Sequence, residues 1–395
     1  MRFVENILRS VIEAATPSEF RAVQNKLADA IERQEGIIQR KKQRHLDLRK
    51  AIKQCSEPSV GSFQFHRDRR EHLRRLLAAN QASEAGHRFA RSAILYLGDT
   101  LAYRLMPNHV VRLHGRNSSP GFFGGKKGRE QEFGIADFLC SDGWTVLLHD
   151  LTHCLKIGDL TAVCQDRGVL SVECGTGVGS RKKRQSQRMK LLNRVLNEDV
   201  RTVPPDELVA HGFPTMLLEG EIEPQHNTDA FCEVADCDAT GWKVVQPEDG
   251  LIYAACLPER GAKDFVREVA RVGHGWRNYM VTCFRDRIMG DYSWVPPIML
   301  LSIPVQHLVR LLERRFYFYV FIDVDYVRRR LAELSPSLLV SERGGHIRFE
   351  TIKLDCHIVR GPRSVENVQY GLVSLGSALQ MLAMEPHIDP AALAR

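Results

Sequence analysis

The chain has no apolar run long enough to cross a bilayer. Its longest, VPPIMLLSIPV and FYFYVFI, fall well short of the roughly 20 residues that a spanning helix needs. The stretch MRFVENILRSVIEAATPSEF lacks the unbroken apolar core of a signal peptide, because Glu5, Arg9 and Glu13 interrupt it. Ten cysteines lie scattered through 395 residues without a disulfide-like framework, as suits reduced thiols. There is no low-complexity tract and no internal repeat. Neither charge dominates: 55 Lys and Arg against 48 Asp and Glu leave +7, an excess that gains meaning only where it clusters. These absences predict a cytoplasmic protein without a membrane partner.

What is present is globular in composition, 44% hydrophobic and 26% charged. At this length two or three domains are expected. Residues 1–106 read as a helical N-terminal region. Leu8, Val11, Ile12 and Ala15 share one helix face. TPSE then supplies a capping box, with Thr16 as N-cap, Pro17 at the first helical position and Glu19 reaching back. The following helix becomes basic through QRKKQRHLDLRK, either a hairpin arm or a short coiled coil and a candidate protein or homo-oligomer contact. A basic helix near 67–79 and a separate apolar one, ARSAILYLGDTLAYRLM, are expected next. Residues 107–199 form a second unit. In it a glycine-rich basic loop precedes a helix (EQEFGIADFLC, with Phe133, Ala136, Leu139 and Cys140 inward), a strand (WTVLLH) and a hairpin. Residues 200–395 read as a separate α+β domain, so the overall class is α+β.

The hairpin GDLTAVCQDRGVLSVECG carries an acid on each strand, Asp159 and Glu173. If DRG is a three-residue loop closed by Gly168, Thr161 faces Glu173 and Asp159 faces Gly175. Alternation then puts Asp159, Thr161, Val163, Ser171 and Glu173 on one face, the two acids as diagonal neighbours. Convergent carboxylates repel unless a cation lies between them, and a hard ion such as Mg²⁺ or Mn²⁺ is the usual guest. After the hairpin come the glycine run GTGVG and a helix that opens with Arg181, Lys182, Lys183 and Arg184. With Arg188 and Lys190 it offers six cations and no acid over residues 181–190. Cations in a first turn oppose the helix dipole, and a phosphate there would reverse the penalty. Lys126, Lys127 and Arg129 of the GGKKGR loop add a second phosphate-binding candidate.

Helix, strand, a hairpin with Asp and then Glu, and a helix with Gln and basic residues resemble the PD-(D/E)XK nuclease superfamily over residues 125–197. The resemblance implies a restriction-endonuclease-like mixed-sheet core. Asp159 looks like the metal-binding aspartate and Glu173 like the acid of the E-x-K element. Glu132 resembles the accessory carboxylate, with Glu130 the weaker choice, and Gln185 or Gln187 the supporting polar helix residue. The family's lysine belongs two residues after Glu173, where this chain has Gly175. Lys182 or Lys183 would take its role.

Other signals are weaker. HDLTHC offers His149, Asp150, His153 and Cys154, but a matching second half of a zinc site is missing. Asp150 or Thr152 reads better as a turn cap, with His149 or His153 as a proton donor lining the site. GTGVGS has Ser180 where a dinucleotide fingerprint needs its third glycine. FIDVD puts Asp323 and Asp325 on one face, yet Asp325 is well placed to cap the next helix. The expected function is therefore a nuclease using Mg²⁺ or Mn²⁺ on DNA, or on RNA, in bacterial DNA metabolism or defence against foreign DNA. The alternative is a degenerate nuclease fold that binds nucleic acid or a protein without cutting.

Overall fold

The computed structural model describes residues 2–55, 63–106, 110–111, 123–124, 126, 128–155, 157–174, 187, 189–194, 197, 225–258, 262–289, 297–335, 338–343, 346–353, 356–360, 368 and 372–383. Lys127, Gly175, Arg181–Gln185 and Arg188 lie outside them.

The class is α+β with a helical N-terminal region. Helix α1 (Arg2–Glu13) leads to α2 (Pro17–Gln54), which begins at the expected capping box: Glu19 N–H donates to Thr16 Oγ1, and Thr16 N–H donates to Glu19 Oε2. The next helix, α3 (Phe63–Leu105), is continuous over 43 residues where two helices were expected. The intervening NQASEAGHRF is mostly made of good helix formers and has no proline. α2 and α3 form an antiparallel hairpin. Gln34 meets His87, Glu35 meets Arg91 and Lys41 meets Asn80, so partners descend on one helix as they ascend on the other.

Helix α4 (Arg129–Ser141) comes next, turning Glu132 and Ala136 inward. β1 (Thr145–Leu148), a 3-10 turn (His149–Leu151), β2 (Leu160–Cys164) and β3 (Gly168–Val172) follow, as an antiparallel sheet in the order β1-β2-β3. All its described strands are antiparallel, in place of the mixed sheet expected. Val146, Leu148, Leu160 and Ala162 pack with Ile31, Leu95, Phe123 and Ala136.

Side-chain amides close both rims of this sheet. Gln24 of α2 accepts from Leu148 N–H at 2.8 Å and donates to Val146 O at 2.5 Å. At the other rim Asn193 accepts from Ser171 N–H (2.7 Å) and donates to Ser171 O (3.1 Å), while Asn197 does the same at Val169 (3.0 and 2.8 Å). Backbone groups of an edge strand need partners, and here amides stand where a further strand would.

The second half holds α5 (Thr228–Ala235), β4 (Trp242–Glu248), β5 (Leu251–Cys256), α6 (Ala262–Val272), β6 (Tyr279–Cys283), α7 (Phe284–Met289), α8 (Val305–Leu312), β7 (Tyr317–Asp323) and α9 (Val324–Leu334). β8 (Leu338–Arg343), β9 (His346–Lys353), β10 (Cys356–Arg360) and α10 (Leu375–Ala383) complete it. Two further antiparallel sheets result, β4-β5-β7-β6 and β10-β9-β8. One apolar core runs through both halves, from Leu8, Leu27 and Tyr96 to Phe231, Phe284 and Phe318. Tyr96 Oη accepts from Ile298 N–H at 3.1 Å, and its ring meets Phe284 edge-on. At the end of β7 it is Asp323 that caps α9, accepting from Asp325 N–H and Tyr326 N–H. Asp325, expected as the cap, pairs with Arg328 instead. None of the described helices is long and apolar enough to cross a membrane.

Candidate functional site

The hairpin register differs by two residues from the expected one. Thr161 faces Ser171 and Leu160 faces Val172, with Gln165–Arg167 as the loop between Cys164 and Gly168. Gly168, at φ 85°, is the closing residue and is itself paired. A slip of two preserves alternation, so Asp159, Thr161, Ser171 and Glu173 still share a face. Asp159 and Glu173 now stand one step beyond the last pair of the ladder, directly opposite rather than diagonal. The β1–β2 register extends this row to His149, whose N–H donates to Asp159 O at 3.0 Å.

Asp159 is held tightly. Its N–H donates to Val172 O (2.8 Å), and its Oδ2 accepts from Cys174 N–H (2.7 Å). Burial, followed by the charges of Asp159, Glu132 and Glu173, pushes the Cys174 thiol up to about 12.

Lys126 sits where Glu132, Asp150 and Asp159 converge. Its Nζ lies 2.7 Å from Glu132 Oε1, 2.7 Å from Asp150 Oδ2 and 3.5 Å from Asp159 Oδ1. Burial works against the ammonium, but hydrogen bonds and charges of Asp150 and Glu132 outweigh it and raise the Lys126 pKa. Glu132 is also raised: burial comes first, and Asp159 and Asp150 add repulsion that Lys126 only partly offsets. Among the described residues, one cation faces three acids here.

The loop that delivers Lys126 is anchored from α2. Glu35, only 1% exposed, accepts from Phe123 N–H (2.9 Å) and Gly124 N–H (2.6 Å) and pairs with Arg91 at 2.7 Å. Three charge-assisted contacts of this kind make a buried carboxylate tolerable. On the opposite side α3 meets the Asp150 turn at Gly98, where a Cβ would overlap the Leu151 carbonyl. Gly98 is there because no other residue permits that approach.

Several expected site residues have other partners. Arg129 pairs with Glu32 and lies over the rings of Phe123 and Phe133, so it packs where it was expected to bind phosphate. His153 faces Asp99, which accepts from the His153 and Cys154 N–H groups. Burial drives the His149 pKa down to about 4, so the ring is neutral and is no proton donor at neutral pH. Gly158 O can only accept, so Nδ1 carries the proton (3.0 Å) and Nε2 accepts from Thr161 Oγ1 (2.8 Å). Thr161 Oγ1 then accepts from Ser171 Oγ at 3.3 Å. Thr152 braces the turn, with Oγ1 donating to His149 O and accepting from Leu155 N–H.

Gln187 and Lys190 are exposed on the helical residues that pack over β3, and Glu130 is exposed on α4. Asp150 is the site residue that sequence reasoning took for a turn cap. No local spacing marks it, because its partner comes from a loop 24 residues upstream.

The carboxylate oxygens of Glu132, Asp150 and Asp159 fit a hard divalent cation in donor type and in surplus charge. Against this, the ammonium already sits among them, and among the described residues no group of three or more His, Cys, Asp or Glu is arranged to hold a metal. A cavity of about 670 Å³ lies elsewhere, lined by His274, Trp276, Arg277, Asp323, Tyr326 and Arg329 among others. No protein-family model, no curated protein and no solved structure matches this chain.

Proposed function

We propose that the chain is a metal-dependent nuclease of the PD-(D/E)XK kind, cleaving phosphodiester bonds of DNA, or of RNA, in bacterial DNA metabolism or defence against foreign DNA. The observation that carries this reading is Lys126. The family's motif puts a lysine two residues after the second acid, and Gly175 leaves that place empty of charge. From the preceding loop Lys126 brings an ammonium to Asp159 and to Glu132, the acids this reading assigns as metal ligand and accessory carboxylate. The order of helix α4, strand β1 and hairpin β2–β3 supports this reading, while the antiparallel pairing of the described strands differs from the mixed sheet that the family implies.

Asp159 and Glu173 would hold Mg²⁺ or Mn²⁺, with Glu132 in support. When bound, such an ion acts as a Lewis acid on a phosphoryl oxygen and makes a water more acidic. Lys126 keeps its charge at any physiological pH and would offset the negative charge that grows on the phosphate oxygens. Glu132, its affinity for protons raised by burial, is suited to take one up at its carboxylate. Lys190 would meet the nucleic-acid backbone, and by sequence so would Lys127, Arg181–Arg184 and Arg188, which lie outside the described residues.

A second reading, a degenerate fold that binds without cutting, draws on the ammonium seated among the acids. One assay separates them. The purified chain is offered linear, circular and single-stranded DNA with Mg²⁺ or Mn²⁺, beside Asp159→Ala. Metal-dependent cleavage that disappears in the variant is the expected result. Binding without cleavage, indifferent to Asp159, favours the degenerate module.

A further inference from the structure

Positive charge is concentrated in one place. Residues 39–80, the outer parts of α2 and α3 with their connection, hold twelve Lys and Arg against four Asp and Glu, a net +8. The whole chain is +7, so the remainder is net −1. Eight of the twelve cations are arginines, whose planar forks suit phosphate oxygens.

The described residues of this segment stand largely in solvent. Beyond Ile38, Leu48 is the sole buried residue of α2, and no described residue of α3 before Asn80 is buried. Asn80 Nδ2 donates to Lys41 O at 2.9 Å and clasps the two helices at the base of the arm. Residues 39–54 then extend about 24 Å at helical rise, roughly two-thirds of a duplex turn. Arg40, Arg44, Arg49, Lys50, Lys53, Arg67, Arg69 and Arg74 are all exposed. The loose pair of Arg75 with Glu71, at 3.6 Å, neutralises little of this. So many like charges on two adjoining helices repel one another, and only an extended polyanion relieves that along the full length of the arm. An anionic membrane fits less well. Membrane-surface helices need an apolar face, and Leu46 is the one large exposed apolar side chain on the described arm.

We propose that the outer α2–α3 hairpin is a grip for a nucleic-acid duplex, held through its phosphate backbone without base readout. The proposal does not rest on cleavage at the acid cluster. Counterion release makes it measurable: each phosphate contact contributes about 0.9 to the slope of log affinity against log salt.

The test uses the full chain carrying Asp159→Asn, so that DNA survives the titration, and a labelled duplex of about 30 base pairs, long enough to exceed the arm. Arg44→Gln, Arg49→Gln, Arg69→Gln and Arg74→Gln are combined, since glutamine keeps helix propensity. Affinity should fall at least tenfold, and the salt slope should become shallower by about 3.6 if all four contact phosphates. The same four positions changed to lysine keep the charge and should retain binding. Unchanged affinity and slope in the glutamine variant would overturn the proposal. An equal loss in the lysine variant would do so too, because charge would not be the arm's contribution. Anionic phosphatidylserine vesicles bound more tightly than duplex would also overturn it. A wild-type chain that fails to cut DNA bears on the acid cluster alone and leaves this measurement intact.

Discussion

At the scale of single residues, Lys126 decides the state of its neighbours. Removing it by Lys126→Ala leaves Glu132, Asp150 and Asp159 facing one another without a counter-charge. Buried pairs broken from one side cost about 3–5 kcal/mol, and this one, whose lysine is 30% exposed, should cost about 2. The variant's melting temperature is expected to fall at neutral pH and to recover toward acid pH, as Glu132 takes up a proton. Added Mg²⁺ should restore it more than it stabilises the wild type. A variant melting like the wild type, with or without Mg²⁺, would mean that the acids need no cation.

His149 makes a separate prediction at the same scale. Its pKa is depressed to about 4 in the folded chain, against 6.5 when unfolded. Between those values the unfolded chain binds a proton that the folded chain does not, so stability is lost as pH falls from 6.5 toward 4. The slope is about 1.4 kcal/mol per pH unit, and the loss ends below pH 4, where both states are protonated. Unfolding free energies from urea titrations of wild type and His149→Gln, measured at pH 7 and pH 5, should differ in their pH dependence by about 2 kcal/mol.

At the scale of elements, the Asp150 turn depends on a helix remote in sequence. Gly98→Ala would push the Leu151 carbonyl away from α3, and overpacking of this kind costs about 1–3 kcal/mol or more. Because the turn also carries Asp150, the variant should lose both melting temperature and whatever activity or Mg²⁺ response the site has. What the sequence revealed at this scale follows from locality. The capping box at Thr16 and Glu19 is written in four neighbouring residues, and the shared face of Asp159 and Glu173 follows from strand alternation alone. Register was misjudged by two because Gly168 closes the loop while also pairing with Cys164. Lys126 at the acids could not be read at all: Glu35 on α2 sets its loop, 91 positions away, and only tertiary packing brings them together.

At the scale of the whole molecule, the N-terminal helices and the second half share one core. Tyr96 sits between Phe284 and the Ile298 amide, and Phe89, Leu97 and Leu101 belong to the cluster that includes Phe231 and Phe318. A fragment beginning at residue 225 would expose that surface to water. It should be insoluble or lack cooperative thermal unfolding, whereas the intact chain unfolds cooperatively; a well-folded fragment with a sharp melt would contradict the shared core.

The amides at Gln24, Asn193 and Asn197 carry a consequence for growth. A three-stranded ribbon with bare margins is a template onto which other chains can stack indefinitely. Here Val146 O and Leu148 N–H on one margin, and both backbone groups of Val169 and Ser171 on the other, are already taken by side chains of the same molecule. Substituting those three residues would reopen the margins, and the chain would then be free to polymerise along them.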